Sequence, residues 1–258
     1  LFLTVGLYGP HCPFVAPKKL YDTYFERFKN IGFPKEYDRL HPEMKKFIDL
    51  RNIQAVSDED YRRVVSAYYA NVAYMDGLIG NLIESINQHL DRENTIIIYT
   101  SDHGESLGAH GLFWKSNFYE ESVKVPMIIS WPKNFECNVE NNNFVSLLDI
   151  APTLIDITQS PELPEVDGIS LTSLLKDSRL RFDRSIISQL IDIKGDNPSA
   201  MIRRGAYKLI SFCNNDLPLL FNLETDPNEQ CNLAEDPAYA TVCQTLLDEL
   251  SKHWDAAE

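Results

Sequence analysis

The sequence predicts an α/β protein in which a helix-covered sheet is followed by a small antiparallel sheet with one helix. Three observations carry that prediction. Short β-branched runs alternate with stretches of helical period in the first two thirds of the chain. After about residue 176 the texture changes to closely spaced strand-like segments joined by polar turns. The length, 258 residues, suits one large core, or one core with a smaller one appended. The expected division is therefore 1–175 for the α/β part and 176–258 for the smaller α+β part.

Taken in order, Leu1 to Leu7 read as a strand ending in the turn-rich "YGPHCP". The chain opens on that run with no Met and no charged leader, so a natural N-terminal portion is expected to precede it. Residues 15–60 are charged and irregular, and read as a surface excursion with short helices. Ser57 stands three residues before Asp60, a capping-box spacing. Behind it Val65, Tyr68, Tyr69, Val72, Met75, Leu78, Ile79, Leu82, Ile83 and Ile86 recur at helical spacing, which predicts one amphipathic helix to about residue 90. Asp91 to Asn94 form a polar turn, and Thr95 to Thr100 a short strand of the kind found in parallel sheets with helices on both faces. "VPMIISWP" at 125–132 reads the same way, and "FVSLLDIAPTLIDI" at 144–157 reads as a helix with Pro152 near its first turn. "RSIISQ", "SAMIRRGAYKLISF" and "LPLLFNLETD" are strand-like, and 236–256 is a closing helix.

Composition bounds the function. The net charge of -14 lacks the basic face that nucleic-acid binding needs. A local cation or metal can still attract an anionic substrate. The five cysteines, Cys12, Cys137, Cys213, Cys231 and Cys243, are scattered and form no C-x-x-C pair, so they signal no zinc site, while one disulfide stays open. No apolar run is long enough to span a membrane. The compartment is left open, cytoplasm and periplasm alike.

The chemistry concentrates in "TIIIYTSDHGESLGAHGLFWK" at 95–115. In an open α/β sheet ligands bind beyond the carboxyl ends of strands. Asp102 and His103 lie just past such an end, where a carboxylate beside an imidazole can hold a divalent cation or move a proton. The bland alternative is an Asp that caps the next turn beside an exposed His. Lys115 follows "GLFW", either as a site cation or as a surface lysine lying along aromatics. His11, in "GPHCPF", has the same strand-end placement. Two strand ends each offering a His, one with an Asp and a nearby Lys, signal more than any one of these residues. His110 reads as a loop-shaping residue, Asp76 as a partner of a loop, and Glu120 and Glu121 as solvated or paired with Lys124. "ETDPNEQCNLA" reads as a turn and a capped helix start, and His41, His89 and His253 as surface residues.

The segments "GPHCPF", "YYANVAYMDGLIGNLI" (68–83), "YTSDHGESLGAHGLFWK" with "VPMII", and "VSLLDIAPTLIDI" with "DGISLTSLL" stand in the order found in type I sulfatases. With "MIRRGAYKLISF" and "LPLLFNLETDPNEQCNLA", nearly the whole chain resembles the C-terminal half of that family, within the alkaline phosphatase superfamily. It is most similar to choline-sulfatase-like members. The resemblance implies an alkaline-phosphatase-like sheet covered by helices. It also implies metal-dependent hydrolysis of a sulfate monoester to an alcohol and inorganic sulfate.

Residue by residue, it makes Asp102 and His103 ligands of a divalent metal, normally calcium, with His103 standing where many relatives have Asn. It places His11 and Lys115 on the sulfate or its ester oxygen. Substrates of the family kind would be choline sulfate or a sulfated saccharide, with Phe113, Trp114, Phe118 and Tyr119 as a possible wall for a quaternary ammonium. The family nucleophile, a formylglycine from C-x-P-x-R or S-x-P-x-R, has no match here. The nearest segment, "SWPKN" from Ser130, lacks the Arg. The resemblance therefore puts the formylglycine and the remaining metal ligands on an N-terminal segment missing from this chain, which alone is expected to be inactive. Two rivals remain: a phosphonate monoester hydrolase or phosphodiesterase of the same superfamily, and a catalytically silent homologue.

Overall fold

The computed structural model of the chain describes residues 1–34, 37–161, 165–190, 198–213 and 217–254. They form two compact units, Leu1–Thr95 with Gly104–Lys115, and Ile96–His103 with Ser116–Glu258.

The first unit is helical. Helix α1 (Lys18–Arg27), α2 (Pro42–Leu50) and α3 (Asp58–His89) follow one another. The start of α3 is the one the sequence predicts: the Ser57 hydroxyl accepts the Asp60 N–H at 3.1 Å, satisfying one of the amide donors that an unfinished helix end leaves open. Periodic apolar residues without a proline then carry it for 32 residues. Helix α1 packs on α3. Arg62 lies over the Phe25 ring at 3.6 Å and donates to the Phe25 carbonyl at 2.7 Å, and Phe28 meets Tyr69 with ring centres 4.9 Å apart. Met44, Phe47 and Ile48 of α2 are buried. His41 is not a surface residue: it is buried, and its Nδ1 accepts the Glu43 N–H as the cap of α2. Asp76 is exposed on α3, and His89 and His253 are exposed as expected.

Leu1 to Leu7 are a correction. They form no strand and lie exposed. A β-branched run becomes a strand only when a neighbour completes its hydrogen-bond ladder, and none does so among the described residues.

The second unit holds β1 (Ile97–Thr100), α4 (Glu120–Val123), β2 (Met127–Ser130), α5 (Ile150–Thr158) and α6 (Thr172–Lys176). It continues with β3 (Ile186–Leu190), β4 (Ser199–Arg204), β5 (Tyr207–Phe212), β6 (Leu219–Asn222) and α7 (Ala240–Leu250). The α/β class holds, and the two strands at 97–100 and 127–130 lie where they are expected. Their pairing differs: β1 runs antiparallel to β2, Ile97 opposite Ser130 and Thr100 opposite Met127. The cross-strand pair Tyr99 and Ile128 stays exposed, so neither strand is covered on both faces. Apolar content marks both strands, but it does not encode partner direction. Helix α5 has Pro152 in its first turn, where the missing N–H costs nothing.

The C-terminal sheet has the order β3-β4-β5-β6, antiparallel throughout. Gly205 (φ +53) opens the two-residue turn between β4 and β5, a position that favours glycine. Ala200, Ile202, Leu209 and Leu220 on one face pack with Cys243, Leu246 and Leu250 of α7. On the other face Phe221 meets Tyr119, ring centres 6.0 Å apart. The closing helix is shorter than 236–256: a 3-10 turn at Pro237–Tyr239 leads into α7, and 255–256 lie outside the described residues. No helix is long and apolar enough to cross a membrane among the described residues.

Candidate active site

In the first unit two loops converge. The "GPHCP" loop lies against α3, close enough that a Cβ on Gly9 would stand 2.9 Å from Asn71 Oδ1 and from Met75 Sδ. Glycine is what permits that approach. His11 Nδ1 stands 2.7 Å from the Cys12 carbonyl oxygen. A carbonyl only accepts, so Nδ1 carries the proton and Nε2 offers a lone pair. The Lys115 ammonium stands 2.5 Å from that Nε2. Both side chains are partly buried. Residues 104 positions apart thus share one proton-bearing contact, and the pairing of His11 with Lys115 is the strongest feature of this unit.

The loop that carries Lys115 is tightly folded. Ser106 N–H donates to the Trp114 carbonyl at 2.9 Å and Gly108 N–H to the Leu112 carbonyl at 2.6 Å. The Glu105 carboxylate accepts from Leu107 N–H at 3.0 Å and from Trp114 N–H at 2.5 Å. Leu107, His110 and Trp114 all have left-handed backbone, with φ of 44, 52 and 65°. Such conformations cost about 1–3 kcal/mol each for non-glycine residues and gather where function holds them in place. Tyr61 of α3 donates to the Leu107 carbonyl at 3.2 Å, and Phe113 stacks on Phe33. His110 is buried in this loop, in keeping with a shaping role. Phe113 is core, stacked rather than open to a ligand.

In the second unit Asp102 and His103 follow β1 directly. Asp102 Oδ1 accepts the His103 N–H at 3.0 Å, and Oδ2 lies 3.6 Å from His103 Nε2. The Ser101 hydroxyl donates to the His103 carbonyl at 2.9 Å and fixes this turn. The Asp102 side chain is 84% exposed. A carboxylate oxygen and a ring nitrogen at that separation suit two neighbouring ligands of one divalent cation. The donor set therefore fits part of a metal site.

Sequence reasoning missed two groups. Glu105 gave no signal, because its task is to accept backbone N–H groups. Lys208 is fully buried, with Nζ 2.9 Å from Glu120 and 2.6 Å from Glu229. Glu120 is thus paired with Lys208, not with Lys124, and Glu229, inside "ETDPNEQCNLA", also accepts the Glu120 N–H at 2.7 Å. No helix starts within that segment. Burial pushes the Glu229 carboxyl above its usual range, against the pull of Lys208.

Comparison with known proteins agrees with the motifs. The family model described as Sulfatase matches residues 1–160, and that described as N-sulphoglucosamine sulphohydrolase, C-terminal, matches 108–256. A choline-sulfatase of Rhizobium meliloti is 32% identical over 98% of this chain and 50% of its own length. The structure of BT4656 in complex with its substrate D-glucosamine-2-N,6-O-disulfate superposes with TM-score 0.71 at 25% identity, covering 84% of this chain and 48% of that one. A phosphonate monoester hydrolase of Agrobacterium radiobacter gives TM-score 0.68 at 27% identity, covering 76% of this chain and 42% of that one. The chain spans about half the length of the curated relative that it matches from end to end.

Proposed function

The chain belongs to the sulfatase family, within the alkaline phosphatase superfamily, and from that premise we propose that it supplies the C-terminal half of a metal-dependent sulfate monoester hydrolase. The observation that carries this reading is the contact between His11 and Lys115. When an S–O bond breaks, negative charge collects on the departing alcohol oxygen. An ammonium held beside that oxygen stabilises it, and the proton shared with His11 Nε2 is available to the alkoxide. The fixed Nδ1–H keeps the imidazole in the tautomer that this task needs.

Asp102 and His103 would hold the divalent cation, with further ligands from outside this chain. Calcium is the hard-cation choice, and the imidazole also suits a borderline metal. When bound, the ion supplies positive charge against the sulfate oxygens. The formylglycine nucleophile would lie on a preceding segment, which makes this chain alone inactive. Residues 176–258 would be a C-terminal subdomain on the catalytic part, 1–175, a reading supported by the shared core of β4–β6 and α7. The substrate would be a small sulfate ester, choline sulfate or a sulfated saccharide, in keeping with the names of the similar proteins.

The second reading, a phosphonate monoester hydrolase, is favoured by the Agrobacterium likeness. One experiment separates the two. Protein from its native source is mapped by peptide mass spectrometry and assayed on 4-nitrophenyl sulfate and on phenyl phosphonate esters. A formylglycine-bearing peptide upstream of Leu1, with preferred sulfate turnover, is the expected result. Preferred phosphonate turnover transfers the reading to the second activity, and no upstream nucleophile with no turnover defeats both. In the active enzyme Lys115→Ala should lower kcat by about 10²–10³-fold, the loss typical of one charge-stabilising donor, without a comparable loss of thermal stability.

A further inference from the structure

Glu105 lies in sequence between Asp102 with His103 and Lys115. Its setting is unusual for an acidic loop residue. A single carboxylate oxygen, Oε1, takes N–H groups from both sides of the loop, Leu107 near its start and Trp114 near its end. Trp114 has φ +65 and Ser116 has φ +71, so both neighbours of Lys115 are held in the left-handed region. The backbone around Lys115 is therefore costly to maintain. Hydrogen bonds to a charged acceptor are stronger than those between neutral groups and act against that cost. The Trp114 bond is the one nearest to Lys115, and the next residue's ammonium is the one that reaches His11.

We propose that Glu105 is the positioning residue for Lys115, its carboxylate clamping Leu107 and Trp114 so that the left-handed Trp114 backbone aims the Lys115 ammonium at His11 Nε2. The consequence for catalysis rests on the sulfate ester reading; the clamp itself does not. Reach matters here more than charge. The amide oxygen of a glutamine can accept both N–H groups from the same place, whereas an aspartate is one methylene too short and a methionine offers no comparable acceptor.

The test uses the full-length enzyme with Glu105→Gln, Glu105→Asp and Glu105→Met. The first readout does not need activity. Lysines are acylated by a limiting amine-reactive ester, and labelling of Lys115 is measured by mass spectrometry relative to the exposed Lys18. Glu105→Asp and Glu105→Met should raise that ratio by about tenfold, while Glu105→Gln stays near the wild type. The second readout is the dependence of kcat/KM on leaving-group pKa across aryl sulfates. It should steepen for Asp and Met and hold for Gln, because a misplaced Lys115 no longer stabilises the departing oxygen. A merely structural role would lower the melting temperature and leave both ratios alone.

If Glu105→Met fails to fold, the Gln and Asp variants still decide. Wild-type labelling and slope in Asp with loss in Gln would overturn the proposal, since charge and not reach would then matter. Unchanged ratios in all folded variants overturn it too. A labelling contrast in an enzyme that turns over no sulfate ester would sink the reaction assigned above and leave the clamp standing.

Discussion

The loop at 105–115 and the C-terminal sheet solve opposite problems. The sheet repeats one device: ladders from β3 to β6 satisfy its backbone, and α7 covers one face. A charged intrusion on β5, Lys208, is fully buried and met by two carboxylates. The loop has no ladder. It holds left-handed residues against their preference through Glu105, Tyr61 and its own turns. A sheet of this kind gains its stability from burial, whereas the loop spends conformational strain on the placement of one ammonium. Residues that look alike on paper, a Lys and a Glu in each region, therefore have different consequences when removed.

The contrast can be broken most severely at Lys208. Lys208→Met should cost about 3–5 kcal/mol of stability near pH 7, because Glu229 is left buried without its counter-charge. The pH dependence follows from the raised carboxyl. A carboxyl whose folded pKa lies above its unfolded value favours the fold fully below the unfolded value and loses that contribution as pH rises through the folded one. Denaturant melts of the variant should therefore show a smaller deficit at pH 4–5 than at pH 7, and an equal deficit would show that Glu229 is not the cause.

Next in size is the loop itself. Gly108 has φ +94, and a Cβ there would overlap the Tyr61 ring. Gly108→Ala should lose about 1–3 kcal/mol and, unlike Lys208→Met, also raise labelling of Lys115. Should the lysine stay protected, the loop is less tightly coupled to Lys115 than its hydrogen bonds suggest. The smallest effect sharpens the control. Ser57→Ala removes a helix cap but keeps the backbone carbonyl that Tyr61 N–H reaches, and should cost about 1 kcal/mol, with labelling of Lys115 unchanged.

Local signals were legible in the sequence where one residue type has one physical job. Ser57 and the apolar period fixed α3 almost to its ends. "SAMIRRGAYKLISF" is strand-like as expected, but it folds as two strands, with Gly205 in the turn that separates β4 from β5. Partner choice was not legible: β1 and β2 carry the right residues, but nothing in a four-residue run states which way its neighbour points. The same lack undid Leu1 to Leu7. Of the site, His11 and Lys115 were named from strand-end placement and from the family motifs, and only folding put them within reach of each other. Lys208 hid because lysine reads as surface until both of its carboxylates are found, one 88 positions away. Glu105 hid because backbone acceptance leaves no pattern.

Helix α3 acts as a gauge block between the two loops of the first unit. Tyr61 supports the Leu107 carbonyl at one station, and Asn71 and Met75 press against Gly9 at another. Those stations are separated by some 15–21 Å of helix, at about 1.5 Å per residue. One residue inserted between them would advance the second station by about 1.5 Å and swing it through roughly 100°, carrying the His11 loop away from Lys115. Substitutions at outward positions such as Tyr74 leave that spacing intact. Along this stretch the chain can change its letters but not its count.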